Sequence, residues 1–85
     1  MDAILYGECV GESDMAAAPV RISRLADQGC DLIVESAAGL FDTDFSLWIG
    51  AVGPLAAVAA KRSGRNVEVR FKQPLDARIL RHFNV

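Results

Sequence analysis

The chain reads as short runs in which apolar and polar positions alternate, separated by turn-forming residues. The clearest run is Val67–Lys72, VEVRFK, with Val67, Val69 and Phe71 on one face and Glu68, Arg70 and Lys72 on the other. A period of two marks a strand with one buried face. The same period runs through Val20–Leu25 and Gly29–Glu35, on either side of the polar reversal Ala26-Asp27-Gln28-Gly29. Before the turn, Val20 and Ile22, with Arg24 in the same phase, stand against Arg21, Ser23 and Leu25. After it, Cys30, Leu32 and Val34 stand against Asp31, Ile33 and Glu35. Val20–Glu35 therefore predicts a β-hairpin, with Gly29 as the natural holder of a positive φ at the end of the turn.

Four further elements follow from the same pattern. Ala3–Val10 predicts a first strand, and Gly11–Ala18 a loop that Pro19 closes. Past the turn-rich connection Ser36–Asp44, Phe45–Val52 alternates Phe45, Leu47 and Ile49 against Ser46, Trp48 and Gly50. Gly53-Pro54 is a turn dipeptide. It leads into Leu55–Arg62, whose alanines favour helix by propensity. The shortness of that segment and the loop Ser63-Gly64-Arg65-Asn66 behind it favour a strand. After Gln73-Pro74 the period lengthens, and Leu75, Ile79, Leu80 and Phe83 form one face of a short helix. Pro74 suits its first turn, Asp76 lies near the positive end of the dipole, and Arg78 and Arg81 fall toward the negative end. Every link is short enough to join antiparallel neighbours. The pattern thus predicts an all-β fold: a six-stranded antiparallel β-barrel, closed so that no edge is exposed, with a short C-terminal α-helix.

Composition narrows the class. Eighty-five residues make one domain spanning 1–85, burying roughly 60–65% of the unfolded surface. A hydrophobic share of 52% with three prolines argues against disorder. No apolar run reaches the roughly 18–20 residues of a membrane span. The start Met1-Asp2-Ala3 lacks the basic and apolar regions of a signal peptide, so a cytoplasmic location is expected. In that reducing setting Cys9 and Cys30, far apart and without metal spacing, read as small buried hydrophobes. His82 has no second ligand nearby, so no metal is expected.

Charge is unevenly divided. Residues 1–44 hold nine acids and two bases, and residues 45–85 hold two acids and seven bases. In a barrel the two halves interleave and partly neutralise each other. The other arrangement is a basic face of Lys61, Arg62, Arg65, Arg70, Lys72, Arg78 and Arg81 that attracts an anionic ligand or acidic partner. A pI near 5.2, with few aromatics among the bases, excludes a nucleic-acid footprint.

Catalytic patterns are missing: there is no nucleophile elbow, phosphate loop, dinucleotide fingerprint or zinc-protease helix. Asp42 and Asp44, beside Glu35, offer too few oxygens for calcium and read as loop polarity. No catalytic residue is assigned, and no enzyme activity is expected. Trp48, on the mixed face of its strand, is expected half exposed, packing at a barrel rim or stacking on a ligand.

Three stretches together resemble a PilZ domain, the six-stranded barrel known for binding cyclic di-GMP: VRISRLADQGCDLIV, WIGAVGPLAAVAAK and NVEVRFKQPLDARILRHF. The likeness covers nearly the whole sequence through the order and spacing of its parts. In the family, a strand leads into an Asp/Asn-x-Ser-x-x-Gly turn and an apolar strand. A hairpin ending in a hydrophobic-x-Phe strand, a Pro-Leu and a closing helix come later. Here Gly29 matches the glycine, while Arg24 replaces the Asp or Asn and Ala26 the serine. The family's Arg-x-x-x-Arg element has no counterpart, since no arginine precedes Arg21. Arg21-x-x-Arg24 has a different spacing and alternate-side geometry.

The resemblance implies a bacterial signalling or adaptor domain of the cyclic di-GMP type, working through a protein partner with weak or no nucleotide binding. Trp48, with the Gly50–Pro54 loop, and the bases Arg65, Arg78 and Arg81 are the expected contact surface. The alternative is a cyclic di-GMP receptor with a non-standard site at Arg21, Arg24 and Gly29 or in the basic half. A small barrel adaptor with a convergent likeness stands beside both. No cofactor is expected apart from cyclic di-GMP as a ligand.

Overall fold

The structure is a computed structural model that describes residues 5–12, 16–35 and 39–83. Ala3, Ile4, the loop residues 13–15 and the connection residues 36–38 lie outside the described residues. Six strands, β1 (Leu5–Gly11), β2 (Ala17–Ser23), β3 (Gly29–Val34), β4 (Phe45–Ile49), β5 (Val52–Ser63) and β6 (Asn66–Phe71), close into a barrel. The order around it is β1-β2-β3-β6-β5-β4, with β4 returning to β1 and every pair antiparallel. A 3₁₀ turn, Gly39–Asp42, precedes β4, and a short helix α1 (Ala77–His82) follows β6. The predicted architecture is therefore present, with one difference in connectivity. β3 and β4 are consecutive but not neighbours, because β6 pairs with β3 and β4 pairs with β1 and β5.

The barrel interior is built by the alternation itself. Cys9, Val20, Ile22, Cys30, Leu32, Val34, Phe45, Leu47, Ile49, Ala57, Val67, Val69 and Phe71 all point inward and are buried. In a six-stranded barrel these side chains fill the lumen and leave no channel. Ala57 shows why β5 is a strand despite its alanines. It pairs with Phe45 on one side and Phe71 on the other and is fully buried, so a small side chain lies between two large ones. Pairing on both edges outweighs helix propensity here. Phe41 from the 3₁₀ turn packs edge-on against Phe45 at 5.0 Å, with the Arg62 guanidinium 5.8 Å above its ring.

The β2–β3 turn differs from its predicted form. Arg24, not Gly29, holds the positive φ, at 53°. That left-handed residue breaks the alternation: Arg24 turns out to solvent and Leu25 turns in, 8% exposed. Gly29 opens β3, and its role is steric: a Cβ there would lie 2.0 Å from the Val69 carbonyl oxygen. The turn is fixed by backbone bonds, with the Ala26 N–H donating to Gly29 O at 2.9 Å. The N–H groups of Phe71 and Leu75 donate to Gln28 O and Asp27 O, at 2.9 and 2.8 Å. The turn is thereby tied to the chain leaving β6.

Three boundaries shift for local reasons. β2 begins at Ala17, so Pro19 lies inside a strand, ahead of the stretch paired with β3 where a residue lacking an N–H is tolerated. The β4–β5 turn is Gly50-Ala51, and Gly53-Pro54 belongs to β5. Gly53 has φ 154°, and a Cβ on it would meet Trp48 Cε3 at 2.8 Å, so the glycine makes room for the indole. In α1, Asp76 is the N-cap: its carboxylate accepts from Arg78 N at 2.8 Å. Pro74 therefore lies ahead of the helix, and Arg78 lies in its first turn, not near its negative end. The Arg78 guanidinium folds back onto Asp76, with Nη2 donating at 3.0 Å. That side-chain bond, with the backbone bond beside it, holds the Asp76 carboxyl down to about 2. Leu75 anchors the segment, and Ile79, Leu80 and Phe83 pack half-buried on the core.

Candidate functional site on the outer barrel face

The outward positions of β2, β3, β6 and β5 form a charged face. Ser23 pairs with Asp31, Asp31 with Glu68, and Glu68 with Lys61. Directly opposed carboxylates repel. Bases flank both: Lys61 lies across from Glu68, and Arg24 Nε reaches Asp31 Oδ2 at 3.7 Å. The Arg24 side chain is 81% exposed, so this ion pair adds little stability.

Arg24, Ala26 and Gly29 line a single shallow depression of ≈ 360 Å³, with Gln28, Asp31, Glu68 and Arg70. A second depression of ≈ 410 Å³ shares Arg24, Asp31 and Glu68 and adds Lys61 and Asn66. Arg24 and Gly29 are therefore brought together. Arg21 is exposed on β2 between Tyr6 and Ile33 and lines neither depression. Two acids and two bases at the rim of the first depression make a mixed surface, where a phosphate meets repulsion as well as attraction. Arg70 belongs to the basic face expected from the sequence, whereas Asp31 and Glu68 were missed as lining residues, although both lie on the outward phase of their strands.

The expected contact residues do not converge. Trp48 lies half-buried on β4, and Arg65 sits in the β5–β6 turn. Arg78 and Arg81 lie on α1, beyond the far end of the six-residue strand β6, about 20 Å from Arg65 by strand length. Two acids of the first half are paired with bases of the second, Asp42 with Arg62 at 3.0 Å and Asp44 with Lys72, while Arg24 and Asp31 pair within the first half. Asp42 and Asp44 are each held by a base, and among the described residues no His, Cys, Asp and Glu side chains gather as a metal site. His82 rests edge-on to Phe83 at 4.9 Å.

Both thiols are enclosed, Cys9 at 0% and Cys30 at 5% exposure. Burial, with Glu8 acting on Cys9 and with Cys9 and Asp31 acting on Cys30, pushes each thiol up to about 12. An unfolded thiol loses its proton near 9, while the folded one keeps it to about 12. Their contribution to stability is thus intact below about pH 9 and lost as the pH rises toward 12. Urea unfolding at about pH 10 should show a lower midpoint than at about pH 8. The double variant Cys9→Ala, Cys30→Ala should reduce that difference, and an undiminished difference would contradict the assignment.

Comparison of this chain with models of known protein families, with curated proteins and with solved structures finds no match.

Proposed function

We propose that this chain is a PilZ-like signalling domain of the cyclic di-GMP type, bacterial and cytoplasmic. It acts as an adaptor through contact with a protein partner, without catalysis and with weak or no nucleotide binding. One observation carries the reading. Arg24 holds φ 53°, a conformation that among non-glycine residues favours Asn and Asp. Those are the residues that the family's turn motif has at this place. Five residues on, Gly29 stands where a Cβ would strike the Val69 carbonyl oxygen, which gives the motif's glycine a backbone reason. The backbone at Arg24 and Gly29 thus suits the residue types of the motif, while Arg24 and Ala26 stand in place of its polar chemistry.

Weak binding follows from those replacements. Charged hydrogen bonds contribute roughly 1.5–3 kcal/mol each, so losing two of them weakens a complex at least about a hundredfold. Asp31 and Glu68 at the depression add repulsion toward phosphate. A second reading, a cyclic di-GMP receptor with a non-standard site, is favoured by Arg24 and Arg70 lining one depression.

Amide chemical-shift mapping separates the two. Under the adaptor reading, cyclic di-GMP leaves the amides of residues 24–31 and Arg70 unmoved. Saturable shifts confined to those amides would overturn it in favour of the receptor.

A further inference from the structure

A second outer surface lies on β1 and β4, away from the charged face. Glu8 and Trp48 are register partners on these strands, so their side chains leave the barrel side by side. Tyr6 stands two positions before Glu8 on the same face and is 71% exposed, the one large hydrophobic so exposed among the described residues. Tyr6, Glu8 and Trp48, with Gly7 and Gly50, line one depression of ≈ 420 Å³. Gly53 backs the indole from the neighbouring strand, leaving no room for a Cβ beneath it, and so seats the ring.

Among the residues that line this depression, Glu8 carries the one charge. Glu8 is the only charged residue in β1 and β4. It makes no ion pair among the described residues. The nearest base in register, Arg21, faces Tyr6 from β2, on the flank of β1 opposite Trp48, and does not line the depression. Two aromatic side chains beside an unpaired carboxylate, open to solvent, suit a compact organic cation. Ring faces attract it through their quadrupoles, the carboxylate supplies the counter-charge, and neither favours an anion.

We propose that the Tyr6–Glu8–Trp48 depression is a binding site for an alkylammonium group, carried by a free quaternary amine or by a lysine side chain. The site includes Trp48 and Gly50 of the expected partner-contact surface but none of the turn-motif residues, so it does not rest on the reading of that turn.

Trp48 is the only tryptophan, which makes its fluorescence a reporter of the site itself. The protein is titrated at constant ionic strength with choline, with the neutral carbon isostere of choline, and with N-acetyl-lysine methylamide. A saturable change with choline, and little with the neutral isostere, supports a site for a free quaternary amine. A change with the lysine derivative alone supports the side-chain source. Tyr6→Leu and Glu8→Gln, both at exposed positions, should each weaken the response by roughly three- to tenfold. No response to either cation, an equal response to the isostere, or unaltered affinity in both variants would overturn the proposal.

Discussion

Replacing Phe45 by alanine should lower the unfolding free energy by about 3–5 kcal/mol. Phe45 is the largest of the fully buried side chains among the described residues, at 0% exposure. Its ring carries the Phe41 edge, and its strand position faces Ala57. Truncation removes the transfer energy of the ring and leaves a cavity that the closed barrel cannot collapse, because each strand is paired on both sides. A domain of this size has a total stability of about 4–13 kcal/mol, so the variant approaches the limit of folding. Urea unfolding followed by Trp48 fluorescence measures the loss. A change below about 1 kcal/mol would mean that the lumen is not packed around this ring.

Gly29→Ala should be nearly as damaging, for a different reason. The added methyl would lie 2.0 Å from Val69 O, 3.1 Å from Val69 C and 3.3 Å from Arg70 Cα. All three are backbone atoms, so no rotamer change relieves the contact. β3 must move from β6 or the Gln28–Phe71 and Asp27–Leu75 bonds must lengthen. Overpacking costs about 1–3 kcal/mol where side chains can adjust, and the upper end is expected here. Amide exchange should show protection lost in β3 and β6 and in the segment reaching Leu75. Wild-type stability in this variant would contradict the close approach.

The two variants also show which parts of the fold were legible in the sequence. Phe45 belongs to an alternating run, and alternation reports burial directly, because successive side chains on a strand leave opposite faces. Val67–Phe71 was legible on the same ground. Which strands pair is a different matter: the β3–β6 contact joins residues nearly forty positions apart, and no local pattern encodes it. Gly29 illustrates the consequence. A glycine after a polar turn reads as a positive φ, yet what requires it is the Val69 carbonyl across that distant pairing. The positive φ went to Arg24, because the turn must send Leu25 inward to the core. In the same way Gly53-Pro54 carries the usual signature of a turn, while its place is set by the Trp48 ring packed against Gly53.

The outer surface was less legible than the core. Asp31, Glu68, Arg70 and Lys61 come from three strands and become neighbours only through register. The expected grouping of Arg65 with Arg78 and Arg81 failed on the same point, since β6 separates the turn from the helix. Arg62 with Asp42 and Lys72 with Asp44 join the acidic and basic halves at the connection before β4, whereas the strands of the two halves stay grouped, β1, β2 and β3 on one side of the barrel and β6, β5 and β4 on the other.

The proposed reading is that the Arg24–Gly29 turn is a PilZ-like turn that lacks the polar residues of the family's motif. Calorimetric titration of the protein with cyclic di-GMP tests this most directly, beside Arg24→Gly, which removes the guanidinium while suiting the left-handed backbone. The account predicts no saturable heat with either protein. Binding in the low-micromolar range that is lost in Arg24→Gly would contradict it and place the nucleotide at Arg24.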